Sequence, residues 1–474
     1  MTIYESLTAY CSSDAYPFHM PGHKRRAAFL CDPSSIDITE IDGFDNLHHA
    51  DGILKEAQER AARLYGSQET HFLVNGSTSG VLAAIGACTR PGDCILMARN
   101  SHRSAYNAAA LNRLTTLYLY PQAYGSGMVS GPIDPESVEA ALNRNKDIRA
   151  VFLTSPTYDG MVSDIAKIAR IAHSHRIPLI VDEAHGAHFG MHPIFPESSV
   201  RLGADLVIHS LHKTLPALTQ TALIHVNGPL VNPGRLQRLL SVYQTSSPSY
   251  VLMASIDQCI HLLSTCGNEL FEAYARRLSR FYRETKLVNL RLPGTDDPSR
   301  ILICPAPEHT PDSISSMQLY RILRERFHLQ PEMVTPSYVL MLSSVCDDED
   351  GFSRLTHALR AIDREAGASH APAATIPLPE PSHTPPSYET CIPADTGCTI
   401  SQALDSDTEA IAFSKAENRI SAEFLTMYPP GIPLLVPGEI ITAGLIRRIL
   451  TLKEKGYTLT GTEDHTLRMI RVIL

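Results

Sequence analysis

The sequence predicts an α/β protein whose large domain is built on a mainly parallel sheet, followed by a small α+β domain and a C-terminal domain. Between about residues 55 and 230, short apolar runs alternate with segments of helical periodicity. Strands that alternate with helices of about 10–15 residues form βαβ units, in which the strands run parallel. Two of the apolar runs lead directly into residues that can carry chemistry, and parallel strands bring such residues to one edge of the sheet.

Each predicted strand is a short apolar run bounded by polar residues, which is typical of a buried strand. The strands are predicted at His71–Val74, Cys94–Ala98, Thr116–Tyr120, Ala150–Thr154, Pro178–Val181, Asp205–Ile208 and Thr221–Val226. The helices between them are predicted from apolar residues at helical spacing. They lie at Ile53–Tyr65, Ser79–Cys88, Pro135–Asn143 and Ile165–His175.

Changes of pattern and composition divide the chain into predicted domains. A long helix from about Pro248 to Thr285 closes a large domain of residues 1–285, which includes the N-terminal segment. Residues 286–365 mix strands and helices and are predicted to form the small α+β domain. Residues 366–390 are rich in proline, which sustains neither a helix nor a central strand, so we expect an extended linker there. Residues 391–474 are the predicted C-terminal domain.

The composition is that of a globular enzyme. Of 474 residues, 43% are apolar and 19% are charged, which is typical of a soluble protein with more than one domain. The net charge of −9 argues against nucleic acid as a partner and suits cationic small substrates. A membrane span needs about 18–20 apolar residues in a row; the chain has no such run, and no signal peptide is visible. The ten cysteines include no C-x-x-C pair, so we expect reduced thiols and a cytoplasmic location.

An acid and a lysine follow two of the predicted strands. Asp182 comes directly after Pro178–Val181, and Ser210-Leu211-His212-Lys213 follows Asp205–Ile208. In an open parallel sheet, ligands bind where the carboxyl ends of the strands meet the loops, so both side chains should reach one crevice. A lysine there can form a Schiff base with pyridoxal phosphate, and an acid can hold the protonated nitrogen of its ring. The pair therefore predicts a site for that cofactor.

A run of small and hydroxyl residues, Asn75-Gly76-Ser77-Thr78-Ser79-Gly80, lies between a predicted strand and a predicted helix. Small residues let the backbone approach a ligand, hydroxyls donate hydrogen bonds, and a helix N-terminus favours an anion. The same pattern also fits an ordinary helix cap. Ser210 and His212, at the end of another strand, can reach the same phosphate, which favours the binding interpretation.

Two further strand ends carry candidates for contact with a flat cofactor ring. His102 follows the strand Cys94–Ala98, and its planar imidazole could stack on such a ring. Thr157 follows the strand Ala150–Thr154 and could touch the ring or its phenolic oxygen. In isolation, His102 is better explained as a polar surface histidine in a loop, and the segment before Thr157, Ser155-Pro156, is equally well explained as a turn.

Two other patterns carry less weight. Asp182-Glu183-Ala184-His185 matches the helicase box, but the chain has no G-x-x-x-x-G-K-[ST] phosphate loop to accompany it. His185, His188 and His192 resemble a metal cluster, but two intervening glycines interrupt any helix that would align them. We therefore predict neither a helicase nor a metal site.

Seven motifs, met in order along nearly the whole chain, resemble the short, wingless branch of the ornithine/lysine/arginine decarboxylases. That family depends on pyridoxal phosphate and has the aspartate-aminotransferase type of fold, fold type I. The motifs are Phe18-His19-Met20-Pro21-Gly22-His23-Lys24, Gly43-Phe44-Asp45-Asn46-Leu47-His48, Asn75–Gly80, Asp182–His188, Ser210–Lys213, Thr245-Ser246-Ser247-Pro248-Ser249-Tyr250, and Tyr428-Pro429-Pro430-Gly431-Ile432-Pro433 running into Pro437-Gly438-Glu439. Their order and spacing carry the resemblance.

The resemblance implies a role for each matching residue at the cofactor. Lys213 would form the Schiff base and later return a proton to the substrate carbon, while Asp182 keeps the ring nitrogen protonated. His102 would stack on one face of the ring, and Ala184 would pack on the other. The implied phosphate ligands are Ser77, Thr78, Ser210 and His212, with Thr245 reaching the phosphate of a neighbouring subunit. The active unit would therefore be at least a homodimer.

The resemblance also implies contacts with the substrate. His185 would lie beside the ring and touch the substrate. His23, Asp45, Glu423 and Glu439 are candidates for closing the site or for binding a basic side chain. The implied reaction is decarboxylation of a basic amino acid, with arginine first and lysine or ornithine second, feeding polyamine metabolism.

Two other functions stay open at this point. The same lysine and acid serve amino-group transfer and aldol-type cleavage, because the outcome depends on which Cα bond stands perpendicular to the ring. A non-catalytic protein that retains the fold is the second alternative, although the complete set of cofactor residues argues against it.

Overall fold

The computed structural model describes residues 2–26, 32–124, 129–305, 314–367, 395–428 and 431–474. These residues form thirteen α-helices, numbered in chain order. The helices are α1 (Ile3–Cys11), α2 (Ile53–Tyr65), α3 (Gly76–Cys88), α4 (Arg103–Leu111), α5 (Pro135–Arg144), α6 (Ile165–Ser174), α7 (Leu211–Thr214), α8 (Pro233–Tyr243), α9 (Tyr250–Glu284), α10 (Ser316–Glu325), α11 (Glu349–Gly367), α12 (Ile400–Asp405) and α13 (Ala443–Glu454). Within the ranges given, none of them combines the length and the hydropathy that a membrane crossing requires.

The same residues form twenty β-strands, which are also numbered in chain order. The strands are β1 (Tyr16–Phe18), β2 (Glu69–Leu73), β3 (Cys94–Ala98), β4 (Thr115–Leu119), β5 (Ala123–Tyr124), β6 (Val129–Ser130), β7 (Ile148–Thr154), β8 (Leu179–Asp182), β9 (Leu206–His209), β10 (Ala222–Val226), β11 (Leu290–Arg291), β12 (Arg300–Pro305), β13 (Leu329–Pro331), β14 (Met333–Val334), β15 (Val339–Leu342), β16 (Thr408–Ala412), β17 (Leu425–Met427), β18 (Ile432–Leu435), β19 (Leu459–Thr460) and β20 (Met469–Ile473).

Seven strands form the central sheet, in the order β2-β10-β9-β8-β7-β3-β4. Neighbouring strands are parallel except where β10 runs opposite to β2 and β9. Every residue of β3, β8, β9 and β10 is buried. The mainly parallel α/β sheet is therefore confirmed, and each of its predicted strands matches an observed strand to within two residues at either end.

Alternate residues of the central strands face two separate apolar cores. Ile180 and Ile208 pack into a core covered by α3, α4 and α8, whereas Val181 and Val207 pack into a core covered by α2, α5, α6 and α9. A sheet buried on both faces leaves its strand ends as the places where a ligand can approach the backbone.

A second sheet, in the order β11-β12-β15-β14, packs against α10 and forms the core of the small α+β unit. Strand β1 of the N-terminal segment pairs in parallel with β13, with Tyr16 opposite Leu329. The N-terminal segment therefore lies on the small unit, although the predicted boundaries group it with the large domain. Helix α11 ends at Gly367, two residues into the predicted linker, and residues 368–390 of that linker lie outside the described residues.

Residues 395–474 fold around a smaller apolar core that includes Leu425, Leu435 and Ile449. Strand β16 pairs antiparallel with β20, and β17 pairs antiparallel with β18 and β19. Ile400, Phe424 and Val436 pack in the core of the large domain. This C-terminal unit is therefore docked on the large domain through shared apolar surface.

The N-terminal segment packs directly against α7, the short helix that carries Lys213. The Gly22 N–H donates to the carbonyl oxygen of His212 at 2.7 Å. A Cβ at Gly22 would lie 2.7 Å from the backbone nitrogen of Leu215 and 2.8 Å from the carbonyl carbon of Thr214. Both atoms belong to the backbone, so a side chain at residue 22 would displace the end of α7.

Lys24 fixes the same segment from the other side. Its ammonium group is buried and donates to the carbonyl oxygens of Pro17, His19 and Leu342 at 2.9, 3.1 and 2.7 Å. The Asp347 carboxylate lies 3.8 Å away. A buried ammonium is tolerated when its hydrogens are all used, so Lys24 joins the N-terminal segment to β15 of the small unit.

We expect Gly22→Ala to lower the free energy of unfolding by about 1–3 kcal/mol and to weaken cofactor binding, because the new methyl group must push α7 away. Gly294→Ala is the matched control, since a Cβ there meets no atom within 4 Å. Chemical denaturation and cofactor titration of both variants measure the effect. Equal behaviour of the two variants would show that α7 does not depend on this contact.

Candidate active site

The carboxyl ends of the parallel strands bring the predicted site residues to one edge of the central sheet. Asp182 is the last residue of β8, and Ser210 and Lys213 follow β9. His102 follows β3 as the N-cap residue of α4. The loop that begins at Asn75 follows β2, which runs in the same direction as β9.

Lys213 lies in α7 with its amine next to His185. The distance from Lys213 Nζ to His185 Nε2 is 3.1 Å. Burial lowers the pKa of Lys213; the negative charge of Asp182 opposes this shift, and the positive charge of Arg300 adds to it. A lysine with a lowered pKa is more often uncharged at neutral pH, which is the form that attacks a carbonyl carbon.

A buried arginine determines which nitrogen of His185 carries the proton. Arg300 Nη2 donates to the backbone oxygen of His185 at 2.7 Å and lies 3.4 Å from its Nδ1. Because a guanidinium has donors and no acceptor, this arrangement assigns Nδ1 as the acceptor and Nε2 as the protonated nitrogen. With that tautomer, the Nε2–H donates to Lys213 Nζ whenever the amine is uncharged. Burial, with the charges of Lys213 and Arg300, holds the pKa of His185 well below its usual range, so the ring is neutral.

Arg300 is the first residue of β12 and is fully buried. Its Nε lies 3.6 Å from Asp297 Oδ2, and Asp297 Oδ1 lies 3.2 Å from His188 Nε2. Burial would raise the pKa of Asp297, but His188 and Arg300 together lower it to about 2. The small unit thus places the Arg300 guanidinium, paired with the Asp297 carboxylate, in contact with His185.

Asp182 is 5% exposed, and its Oδ1 accepts the Ala184 N–H at 3.1 Å. Burial raises the pKa of Asp182, against the opposing effects of Lys213 and the Ala184 N–H. A cationic ring nitrogen next to this carboxylate would lower the pKa of Asp182, and the carboxylate would in turn keep that nitrogen protonated. The acid therefore fits the pyridine nitrogen of pyridoxal phosphate.

The predicted phosphate ligand His212 and the first residue of α3, Gly76, both contact the turn before β10. The Gly76 N–H donates to the carbonyl oxygen of Gln220 at 3.0 Å, and His212 Nδ1 lies 3.0 Å from the carbonyl oxygen of Thr221. Ser77 is half-buried and Thr78 is exposed in the first turn of α3. The residues that follow β2 and β9, the two strands on either side of β10, are thus joined through one turn.

Buried polar atoms without a hydrogen-bond partner gather at this edge of the sheet. Within the described ranges they include Ser210 Oγ, Thr214 Oγ1, Asn100 Oδ1 and Thr154 Oγ1. Native proteins satisfy nearly all such atoms, so a group of them marks a place where a polar ligand or water completes the structure. Ser210 Oγ suits a phosphate oxygen, which accepts hydrogen bonds.

His102 presents a neutral ring to the site. Its Nδ1 accepts the Ser104 N–H at 3.3 Å and thereby caps α4. Desolvation by the surrounding protein, with smaller contributions from Lys213 and Arg103, lowers the pKa of His102 to about 4. The side chain still has an exposed surface, which suits stacking on a flat cofactor. On its other edge lies Gly431, where a Cβ would be 3.5 Å from both Cδ2 and Nε2 of His102.

Thr157 and Thr245 occupy different surroundings. Thr157 is buried in the turn after β7, where its Oγ1 accepts the Met161 N–H at 3.1 Å. Thr245 is exposed, and its N–H donates to the Asn75 side chain at 3.4 Å. Their contacts with cofactor, within the chain or across a dimer, stay predictions.

The residues predicted to contact substrate have hydrogen bonds of their own. Asp45 accepts backbone N–H groups at the start of α2, and Glu423 accepts two backbone N–H groups within the C-terminal unit. Glu439 forms a buried ion pair with Arg99. His23 is partly buried and accepts a backbone N–H two residues further on. The three carboxylates therefore stabilise the chain itself, and their contact with a substrate stays a prediction.

Four residues that the motif roles do not single out also contribute here: Arg99, Tyr158, Arg300 and Glu332. The Tyr158 ring lies 4.5 Å from the His185 ring, and its hydroxyl donates to Glu332. Glu332 also accepts a backbone N–H of the N-terminal segment at 3.0 Å. The sequence offers a way to find Arg99 and Arg300, because each lies at one end of a strongly apolar strand. A charged side chain buried at such a place needs a partner of opposite charge.

Pyridoxal phosphate fits this edge of the sheet. Its phosphate needs a hydroxyl donor such as Ser210, its aldehyde needs an uncharged amine such as that of Lys213, and its ring nitrogen needs an acid such as Asp182. The chain is accordingly a pyridoxal-phosphate-dependent enzyme of fold type I, as the comparisons with known proteins also indicate. It matches the family model described as Orn/Lys/Arg decarboxylase, major domain, over residues 2–291. Residues 393–466 match the model for the C-terminal domain of the same family.

Individual relatives agree with the family models. Arginine decarboxylase of Bacillus subtilis is 32% identical over 500 residues, covering 99% of this chain and 97% of that protein. Arginine decarboxylase of Bacillus anthracis is 31% identical, with the same coverage. The solved structure of the constitutive lysine decarboxylase of E. coli superposes with a TM-score of 0.76 at 20% identity, covering 99% of this chain and 81% of that chain. The chain therefore belongs to the Orn/Lys/Arg decarboxylase family and is an amino acid decarboxylase, which confirms the resemblance.

We expect Arg300→Gln to raise the pKa of Lys213, because the substitution removes a neighbouring positive charge and frees His185 Nδ1. The pH dependence of chemical labelling of Lys213 in cofactor-free protein measures this shift. The variant should also lose about 3–5 kcal/mol of unfolding free energy, because Asp297 keeps a buried charge without its cation. Arg447→Gln, an exposed site, is the control. A Lys213 pKa that falls or stays constant in folded Arg300→Gln would contradict the assignment.

Proposed function

We propose that the protein decarboxylates a basic L-amino acid, with arginine as the first candidate and agmatine as its product. Lysine to cadaverine and ornithine to putrescine are the alternatives, and each product would feed polyamine metabolism. Two relatives that match 99% of the chain are named arginine decarboxylases. The observation that carries the proposal is the Lys213 amine, held 3.1 Å from a neutral His185 in the same site as the buried acid Asp182.

Pyridoxal phosphate, when bound, supplies a conjugated ring that accepts the electrons of the breaking Cα–carboxylate bond. Lys213 Nζ would hold the cofactor covalently and, once the substrate amine has displaced it, return a proton to the substrate carbon. Asp182 would keep the ring nitrogen protonated. His185 Nε2–H would orient Lys213 Nζ, and His102 would stack on the ring opposite Ala184.

The phosphate would be held by Ser77, Thr78, Ser210 and His212. Because His212 Nδ1 faces the carbonyl oxygen of Thr221 at 3.0 Å, that nitrogen carries a proton and its Nε2 is left for a ligand. Burial lowers the pKa of His212 to about 4. A phosphate at Nε2 would raise that pKa by its negative charge, and the protonated ring would then donate to it.

We further propose a cytoplasmic homodimer in which Thr245 of one subunit reaches the phosphate of the other. The exposed side chains of Ile41, Phe44 and Val242 add apolar surface to the segments around this residue. The eight cysteines within the described ranges are free, which suits a reducing compartment. A monomer mass from light scattering of the holoenzyme would contradict the dimer.

We expect Ser210→Ala to raise the dissociation constant of pyridoxal phosphate at least about tenfold, because a hydrogen bond to a charged phosphate is lost. Its unfolding free energy without cofactor should be unchanged, since Ser210 Oγ has no partner within the described residues. Ser198→Ala is the matched control: its Oγ donates to Glu183 at 2.8 Å, so it should lose about 1–3 kcal/mol of stability and keep cofactor affinity. The reverse pattern would exclude Ser210 as a phosphate ligand.

The substrate is tested by offering arginine, lysine and ornithine in parallel to purified protein with pyridoxal phosphate and measuring amine and carbon dioxide. Agmatine from arginine should dominate. Lys213→Ala should abolish it, because no amine is left to hold the cofactor, and Lys286→Ala, an exposed site, should keep it. A substrate-dependent accumulation of pyridoxamine phosphate would favour amino-group transfer, and no amine from any of the three would refute the proposal.

A further inference from the structure

A buried ion pair joins the C-terminal unit to the large domain beside the site. Arg99 directly follows β3, and Glu439 lies in the C-terminal unit. The guanidinium binds both carboxylate oxygens, with Nε to Oε1 at 2.9 Å and Nη2 to Oε2 at 3.0 Å. Each residue is 1% exposed. Such a pair is stable only when both charges stay together, because removing one leaves the other buried and uncompensated.

The same arginine also binds the backbone of strand β18. Arg99 Nη1 donates to the carbonyl oxygen of Pro433 at 2.7 Å, and Nη2 lies 3.3 Å from the carbonyl oxygen of Leu434. Glu439 Oε2 accepts the Val436 N–H at 2.9 Å, at the end of that strand. One guanidinium therefore sets the position of the strand as well as of the domain.

Strand β18 begins at Ile432, so the residue directly before it is Gly431, which lies beside His102. A Cβ at Gly431 would lie 3.5 Å from His102 Cδ2 and Nε2, and its φ is +84°. Arg99 and His102 lie on the same short loop after β3, three residues apart. The opposite edge of the His102 ring is held by the Ser104 N–H. The ring thus lies between its own helix on one edge and the C-terminal unit on the other.

We propose that Arg99 and Glu439 are positioning residues that keep Gly431 beside His102. The C-terminal unit would then form one wall of the cofactor pocket in its own chain. The inference rests on the proposed stacking of His102 on pyridoxal phosphate. In this proposal Glu439 acts by positioning Gly431 and does not need to contact the substrate. Stacking needs a ring held at a defined position, and small displacements of a positioned group cost large factors in function.

The first test compares Gly431→Leu with Gly456→Leu. Both glycines have a positive φ, +84° and +83°, so a leucine strains both turns alike. A Cβ at Gly456 meets no atom within 4 Å, whereas one at Gly431 is already in van der Waals contact with His102 at 3.5 Å, so a larger side chain there crowds the ring. Both variants should show a similar fall in melting temperature. Gly431→Leu alone should shift the absorption band of the bound cofactor and raise its dissociation constant at least about tenfold.

The second test combines Gly431→Leu with Glu439→Gln. If both act through the position of His102, the double variant should lose no more cofactor affinity than the weaker-binding single variant. Additive losses would overturn the inference, and so would an unchanged band and affinity in Gly431→Leu. If Glu439→Gln does not fold, the comparison of the two glycine variants decides alone. If the wild-type protein binds no pyridoxal phosphate, the proposed function is wrong. If the wild type binds the cofactor but the variants behave otherwise than expected, only the positioning role of Arg99 and Glu439 is wrong.

Discussion

The site depends on lowering the pKa of the Lys213 amine among groups that are nearly all buried. A buried charge without compensation is costly, so such groups either pair or shift their pKa values. The Arg300 guanidinium has donors and no acceptor, and its position favours His185 as an acceptor at Nδ1 and a donor at Nε2. An uncharged Lys213 amine has the lone pair that accepts this hydrogen bond. Asp182 favours the charged amine instead, and the site balances these two opposing influences.

Three separate parts of the chain contribute to that balance. The central sheet supplies Lys213 and Asp182, the small unit supplies Arg300 from β12, and the N-terminal segment packs Gly22 on the helix of Lys213. The C-terminal unit reaches the same region through Glu439. The geometry of the sheet edge therefore explains where the cofactor fits, whereas the surrounding units shift the pKa values and set the positions of the groups that would hold it.

The residue beside Asp182 shows how one strand end serves both the site and the core. Glu183 accepts hydrogen bonds from Ser198 and Ser199, and its Oε1 lies 2.8 Å from His209 Nε2. His209 Nδ1 is in turn 3.0 Å from His225 Nε2, so the network crosses strands β8, β9 and β10 sideways. Burial raises the pKa of Glu183 to about 7. A satisfied polar network of this kind ties neighbouring strands together beneath the site. It explains why two adjacent acids in one motif have unrelated tasks.

The amino-acid sequence predicts where the sheet strands lie along the chain and that most of them are parallel, and it points to Lys213 and Asp182. Both predictions follow from local patterns: an apolar run forms a buried strand, and the residue after it lies at the ligand-binding edge. The strand order in the sheet, the antiparallel direction of β10 and the pairing of charges come from tertiary packing. Arg300 reaches His185 across 115 residues, and Arg99 reaches Glu439 across 340 residues. No local pattern encodes such pairs, because a buried charge takes whichever partner the packing of distant elements brings within hydrogen-bond distance.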